Sequence, residues 1–146
     1  MKNISTLIAT VAISSLSTQA VANEIEFNIS GIDLENSASN KIYVQLFKGE
    51  ENYTKGKAEV ALITKSSNGS ATITFNDIDQ GDYALRFFHD QNDNGKLETN
   101  LFGMPVEGFG FSNNAKPNFG PVSYQQIKFT VNEEQGKVIN ASTVIY

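Results

Sequence analysis

Ser70-Ala71-Thr72-Ile73-Thr74-Phe75-Asn76-Asp77-Ile78-Asp79-Gln80-Gly81-Asp82-Tyr83-Ala84-Leu85-Arg86-Phe87-Phe88-His89 holds two strands and the turn between them. Ala71, Ile73 and Phe75 alternate with Ser70, Thr72 and Thr74, the two-residue period of a strand with one face on a core and the other in water. Asp79-Gln80-Gly81-Asp82 is composed of turn formers. Beyond it, Tyr83 to His89 is apolar on both sides. Leu85 and Phe87 point one way and Arg86 and Phe88 the other, so each face of this strand needs a partner.

The same alternation recurs on either side. Ile25, Phe27 and Ile29 share a face between Glu24, Glu26, Asn28 and Ser30. Ile42, Val44 and Leu46 oppose Tyr43, Gln45 and Phe47. Val60 to Thr64, Ile127 to Val131 and Lys137 to Tyr146 read as further strands, the last two joined by a turn at Glu133-Glu134-Gln135-Gly136. One helical turn fits Asn52 to Ala58. About seven short strands with no sustained helical period predict an all-β fold, an antiparallel β-sandwich.

Leu101 to Tyr124 breaks the rhythm. It holds Phe102, Phe109, Phe111 and Phe119, four glycines and all 3 prolines of the chain. A structureless stretch of this length is uncommon in a compact domain and tends to be functional or disordered. Its Phe content argues against disorder. Two readings remain: a crossover whose Phe side chains plug one edge of the core, or an ordered loop that forms a binding surface. On the second, Phe109 and Phe111 supply apolar contact and Asn113 and Asn114 supply amides, with His89 at the neighbouring strand end.

Met1 to Ala22 has the layout of a secretory signal: Lys2, a largely apolar stretch from Ile4 to Leu16, and Ala20-Val21-Ala22 as the small-x-small cleavage pattern. The expected organisation is a cleaved signal over 1–22 and one β-sandwich domain over 23–146. Localisation is then periplasmic or secreted, with no membrane insertion after cleavage. Lys2 is the only charge in the signal, so the formal charge of −5 becomes −6 without it. An acidic chain with scattered basic residues has no footprint for nucleic acid. With Cys at 0, thiol catalysis, disulfide scaffolds and zinc–thiolate sites are excluded, and His at 1 excludes multi-His metal sites.

The sharpest local motif is Asp90-Gln91-Asn92-Asp93-Asn94-Gly95-Lys96-Leu97-Glu98, which fits the opening of a calcium loop. Asp90, Asn92 and Asn94 offer oxygens at alternate positions, Gly95 allows the sharp turn, Lys96 would give its carbonyl, and Glu98 falls at the ninth position. Leu101 stands where a bidentate Glu closes an EF-hand, so further ligands would come from Asp93, Glu107 or water, and affinity would be weak. The competing reading is a hairpin turn built on Asn94-Gly95. Calcium is therefore the one candidate cofactor.

His89 beside Asp90 invites an acid–base reading, but neighbours in a strand diverge. Ser112 lacks the second glycine of a nucleophile elbow. Glu98 and Glu107 as a glycosidase-like pair rest on two acids in an acidic chain. No catalytic constellation emerges, and the expectation is a non-enzyme.

Phe87-Phe88-His89-Asp90, Asn92-Asp93-Asn94-Gly95-Lys96-Leu97 and Gly103-Met104-Pro105-Val106-Glu107-Gly108-Phe109-Gly110-Phe111-Ser112-Asn113-Asn114-Ala115 together resemble the exported bacterial family catalogued as domain of unknown function 2141. Val44-Gln45-Leu46-Phe47, Tyr53, Lys55-Gly56-Lys57-Ala58 and Gly81-Asp82-Tyr83-Ala84 carry the resemblance upstream. It implies membership and no activity. Phe75-Asn76-Asp77-Ile78 with Gly81-Asp82-Tyr83-Ala84-Leu85 is more loosely similar to transthyretin-like and collagen-adhesin B-type sandwiches, some of which carry a calcium loop shortly after. The expected function is an exported non-catalytic envelope module that binds a ligand or envelope protein through the 90–124 loops, supported by calcium. The alternatives are an assembly part that pairs a partner at an open strand edge, and a small hydrolase using His89.

Overall fold

The computed structural model describes residues 22–133 and 135–146. The signal read over 1–22 lies outside them but for Ala22, as does Glu134 of the turn read at 133–136. The expected strands form at the expected places: β1 (Asn23–Ser30), β2 (Lys41–Lys48), β3 (Val60–Lys65), β4 (Ala71–Ile78), β5 (Gly81–Asp90), β7 (Phe129–Val131) and β8 (Lys137–Thr143). A short helix α1 (Glu50–Thr54) supplies a helical turn, starting two residues before the Asn52 to Ala58 stretch read for it and ending four residues short of its end. Two elements depart from the reading. Phe109–Phe111 is a strand, β6, inside the segment read as a loop. Ile127 ends a helical turn, α2 (Tyr124–Ile127), so β7 is shorter than its apolar run.

β4, β1 and β8 make one sheet, in that order; β3, β2 and β5 make the other, with β6 and β7 both on the far edge of β5. The pairings are antiparallel except β1 with β8, which is parallel. The sandwich core fills from the alternating inward residues: Ile25, Phe27 and Ile29 on β1, Ile73 and Phe75 on β4, against Val44 and Leu46 on β2 and Leu85 and Phe87 on β5. Phe27 and Phe87 meet edge-on across the layers with centroids 5.7 Å apart, the geometry that the ring quadrupole favours. Tyr83 is buried and its hydroxyl donates to the Asp79 carbonyl at 3.0 Å, bracing the turn that enters β5.

Beyond β8 the chain crosses to the other sheet. Phe109 and Ile145 exchange backbone hydrogen bonds of 2.9 and 2.8 Å, which joins the two sheets at this edge. Two glycines make the seam possible. A Cβ on Gly108 would lie 2.4 Å from the Tyr146 ring, and one on Gly110 would lie 2.5 Å from the Phe87 ring. The alternation Gly108-Phe109-Gly110-Phe111 thus sends both Phe side chains to the outer face and leaves the inner face to the Tyr146 and Phe87 rings.

Candidate functional site

The outer face of the five-stranded sheet is where the unusual β5 pattern leads. Register sets two rows across it: Ala61, Gln45, Arg86 and Phe111, then Ile63, Tyr43, Phe88 and Phe109. Tyr43 and Phe88 stack with centroids 4.7 Å apart and planes at 9°. One end of this face is covered by α1, α2 and the stretch before α2, where Ala84, Val122, Tyr124 and Ile127 form a second small core with Tyr53 and Phe111 against it. The loop after β5 folds over the other end. Between the two covers lies a groove of about 820 Å³, floored by Tyr43, Arg86 and Phe88 and walled by Leu97 and Met104 on one side and Val122 on the other.

The loop is closed by its own amides. Asp90, fully buried, accepts the backbone N–H of Asn94 and of Gly95, each at 3.0 Å. Asn92 Oδ1 accepts Asn94 N–H at 3.1 Å, and Asn94 Oδ1 accepts Lys96 N–H at 2.8 Å. The Asn92 amide donates to Glu98 at 2.8 Å. Glu107, also buried, spans the loop mouth: Oε1 accepts Gln91 N–H at 3.0 Å and Oε2 accepts Glu98 N–H at 3.2 Å. Gln91 returns the bond by accepting Gly108 N–H at 3.0 Å. Asp93 turns outward to Lys41 at 2.6 Å, and the Lys41 hydrogen bond holds its carboxyl below the ordinary range. Asp90, Asn92, Asn94, Glu98 and Glu107 therefore gather on one loop. Among the described residues no group of three or more acidic, imidazole or thiol side chains is close enough to hold a metal.

His89 points inward and away from Asp90. Its Nε2 lies 2.8 Å from the Ser39 carbonyl and its Nδ1 lies 3.0 Å from the Tyr146 hydroxyl. A carbonyl only accepts, so Nε2 carries a proton. Tyr146 also accepts Asp33 N–H at 2.8 Å, so both ring nitrogens of His89 are engaged by the scaffold. The buried Ser112 is tied as well. Its hydroxyl donates to the Ile127 carbonyl and accepts Leu85 N–H at 2.9 Å.

The family model for uncharacterized proteins conserved in bacteria, DUF2141, matches residues 28–139. The chain belongs to DUF2141. The match takes in β2 to β7, the Asp90 loop and both covers of the groove, and reaches only the end of β1 and the start of β8. No curated protein and no solved structure matches this DUF2141 chain.

Within this DUF2141 sandwich the residues singled out from sequence separate. Phe109 and Phe111 line the groove. Asn113 has both ends of its amide engaged, whereas Asn114 is held by its oxygen alone. Both sit at positive φ, 61° and 51°, which Asn tolerates better than most residues. The Asn113 amide donates to the Gln126 and Lys128 carbonyls at 3.1 and 2.8 Å and accepts from Asn140 at 2.7 Å. Asn114 accepts Thr143 N–H at 3.0 Å. They lock the crossover onto the sandwich. Leu101, Phe102 and Phe119 stand in solvent at loop tips, 102%, 89% and 107% exposed. Sequence reasoning missed Tyr43, Arg86 and Phe88 as site residues. The signal was present in the apolar outer face of β5, and what hid it was not knowing which face of β2 lay beside it.

Proposed function

We propose that this DUF2141 chain is an exported, non-catalytic binding module of the cell envelope that takes a small apolar ligand in the groove on its outer sheet face. The observation that carries this is the groove itself: a strand apolar on both sides, with its second face roofed by loops but left accessible. Ligand sites are typically concave and mostly apolar, roughly 300–1,000 Å³ in volume, with a few polar groups. Export rests on the signal pattern at Met1 to Ala22. The non-catalytic reading is supported by the commitments of His89, Ser112 and Glu107 to the scaffold.

The test uses a neutral fluorescent probe, N-phenyl-1-naphthylamine, on the wild type and on Ala61→Trp. Ala61 is exposed on β3 and lines the groove, so an indole there fills the space without touching the core. Saturable enhancement in the wild type that is lost in Ala61→Trp supports the reading. No enhancement, or equal enhancement in both, overturns it.

Calcium at the Asp90 loop is a second reading. It is supported by the hard oxygens on alternate residues, and by Asp90 and Glu107 being buried with only N–H donors for company. With no cluster of three acids, such a site draws on Asn side chains, carbonyls and water, and binds weakly. Calcium that raises the melting temperature of the wild type but not of Asp90→Ala supports it, because a ligand of the folded state stabilises that state. No shift up to millimolar calcium reduces the loop to a self-closing turn.

A further inference from the structure

The chain has 16 acidic residues and a single Arg, Arg86. Among the described residues none of the acids lines the groove, and Arg86 does. Its guanidinium lies over the Phe47 ring, 4.8 Å from the centroid, and its Nε–H donates to Gln45 at 2.7 Å. Among the described residues it has no carboxylate partner, although six ion pairs form elsewhere on the surface. A cation held in place by a neighbouring amide and ring, half-buried and without a counter-ion, is an unusual expense in so acidic a protein. A charge in an apolar surround is costly unless it is paired.

Resting on the groove reading above, we propose that the ligand is a monoanionic amphiphile: one carboxylate on an unbranched apolar chain, with the carboxylate on Arg86. With Nε engaged by Gln45, both Nη groups remain for a ligand, and two parallel N–H donors match one planar carboxylate. A single cation balances one negative charge; a dianionic phosphate ester would bring a second charge with no partner in the groove. The chain then runs along the second row, over Tyr43 and Phe88 and past Phe109, to the end walled by Leu97, Met104 and Pro105. Arg86 to Phe88 is two residues of strand, about 7 Å, so the head and the first few methylenes fit on the sheet and the remainder meets the loop wall. Met104 suits a chain of variable length because its thioether adapts to irregular gaps.

The experiment displaces N-phenyl-1-naphthylamine with decanoate and with 1-decanol at neutral pH, in the wild type, Arg86→Gln and Arg86→Lys. Decanoate should displace the probe from the wild type at least about tenfold more effectively than decanol, as hydrogen bonds to charged groups allow. Arg86→Gln should abolish that preference, and Arg86→Lys should keep part of it. Equal displacement by acid and alcohol in the wild type overturns the carboxylate while leaving the groove reading intact, and this arm does not depend on any variant folding. A preference for decanoate that persists in Arg86→Gln overturns the role of Arg86. A probe that never binds the wild type overturns the groove reading and this inference with it.

Discussion

Ser112 shows how one hydroxyl can stand in for missing backbone. β6 pairs with Arg86 to Phe88 and β7 with Gly81 to Tyr83, both on the same edge of β5. Leu85 falls in the gap between them, and its N–H is met by the Ser112 hydroxyl, which itself donates to Ile127. Ser112→Ala leaves a buried donor and a buried acceptor unmet, at about 1–3 kcal/mol for each. Denaturant unfolding should show a loss of about 2–6 kcal/mol, and a loss under about 0.5 kcal/mol, the range of an ordinary surface change, would refute the account. Tyr124 is the opposite case. Its hydroxyl is buried with no hydrogen-bond partner among the described residues, and that burial pushes its ionisation up. Tyr124→Phe removes the unmet group and keeps the ring, so the melt should move upward, by about 1 kcal/mol of stability. A clear destabilisation would mean that the hydroxyl has a partner after all.

Among the elements, the long strands are legible in the sequence because each has one buried and one open face. The alternation of Ile25, Phe27 and Ile29, or of Ala71, Ile73 and Phe75, is the direct imprint of that placement. β6 is not legible, because the inward positions of its short alternation are Gly108 and Gly110, required by the Tyr146 and Phe87 rings, and glycine does not mark a buried face as an apolar side chain does. The groove was half visible. Arg86 and Phe88 plainly faced away from the core, but the loops that roof them are placed by Glu107, whose partners Gln91 and Glu98 lie 16 and 9 residues upstream. Glu107 thereby makes a prediction about its loop. Glu107→Gln has one acceptor oxygen in place of two and sets an amide N–H₂ against a backbone donor. The amides of Gln91 and Glu98 should exchange with solvent about tenfold faster or more, while those of Val44 and Leu46 in β2 keep their protection, since loops open locally without global unfolding. Unchanged exchange at both loop amides would show that the loop holds without this carboxylate.

At the scale of the molecule, electrostatics set a working range. Glu26, Asp33, Asp82 and Asp93 are all held below the ordinary carboxyl range, chiefly by hydrogen bonds from Lys137, Asn36, Thr130 and Lys41 respectively. A carboxyl whose folded value is depressed adds stability above its unfolded value, near 4, and that stability is lost as pH falls through the folded value. Lys41 and Lys137 are raised, chiefly by Asp93 and Glu26. Their share is complete below about 10.4 and is lost as pH rises through the folded value. The melting temperature should therefore be nearly flat from about pH 5 to pH 9 and fall below about pH 4. Asp82→Asn should make the acid limb shallower. An acid limb of unchanged steepness in that variant would remove Asp82 from the account. All these pairs are solvent-exposed, so each contribution is small and salt-sensitive.

The parallel pairing of β1 with β8 has a consequence in time. The first and last of the described strands lie side by side, and Phe27 and Ile29 of β1 belong to the centre of the core. A ribosome releases β1 long before β8 exists, so the three-stranded sheet has an unfilled lane until the far end of the chain emerges. Contacts this distant in sequence also form slowly, because a long loop must close first. A polypeptide built in this way cannot complete its smaller sheet until its last strand has been made, so closing the sandwich is among the final events of its synthesis.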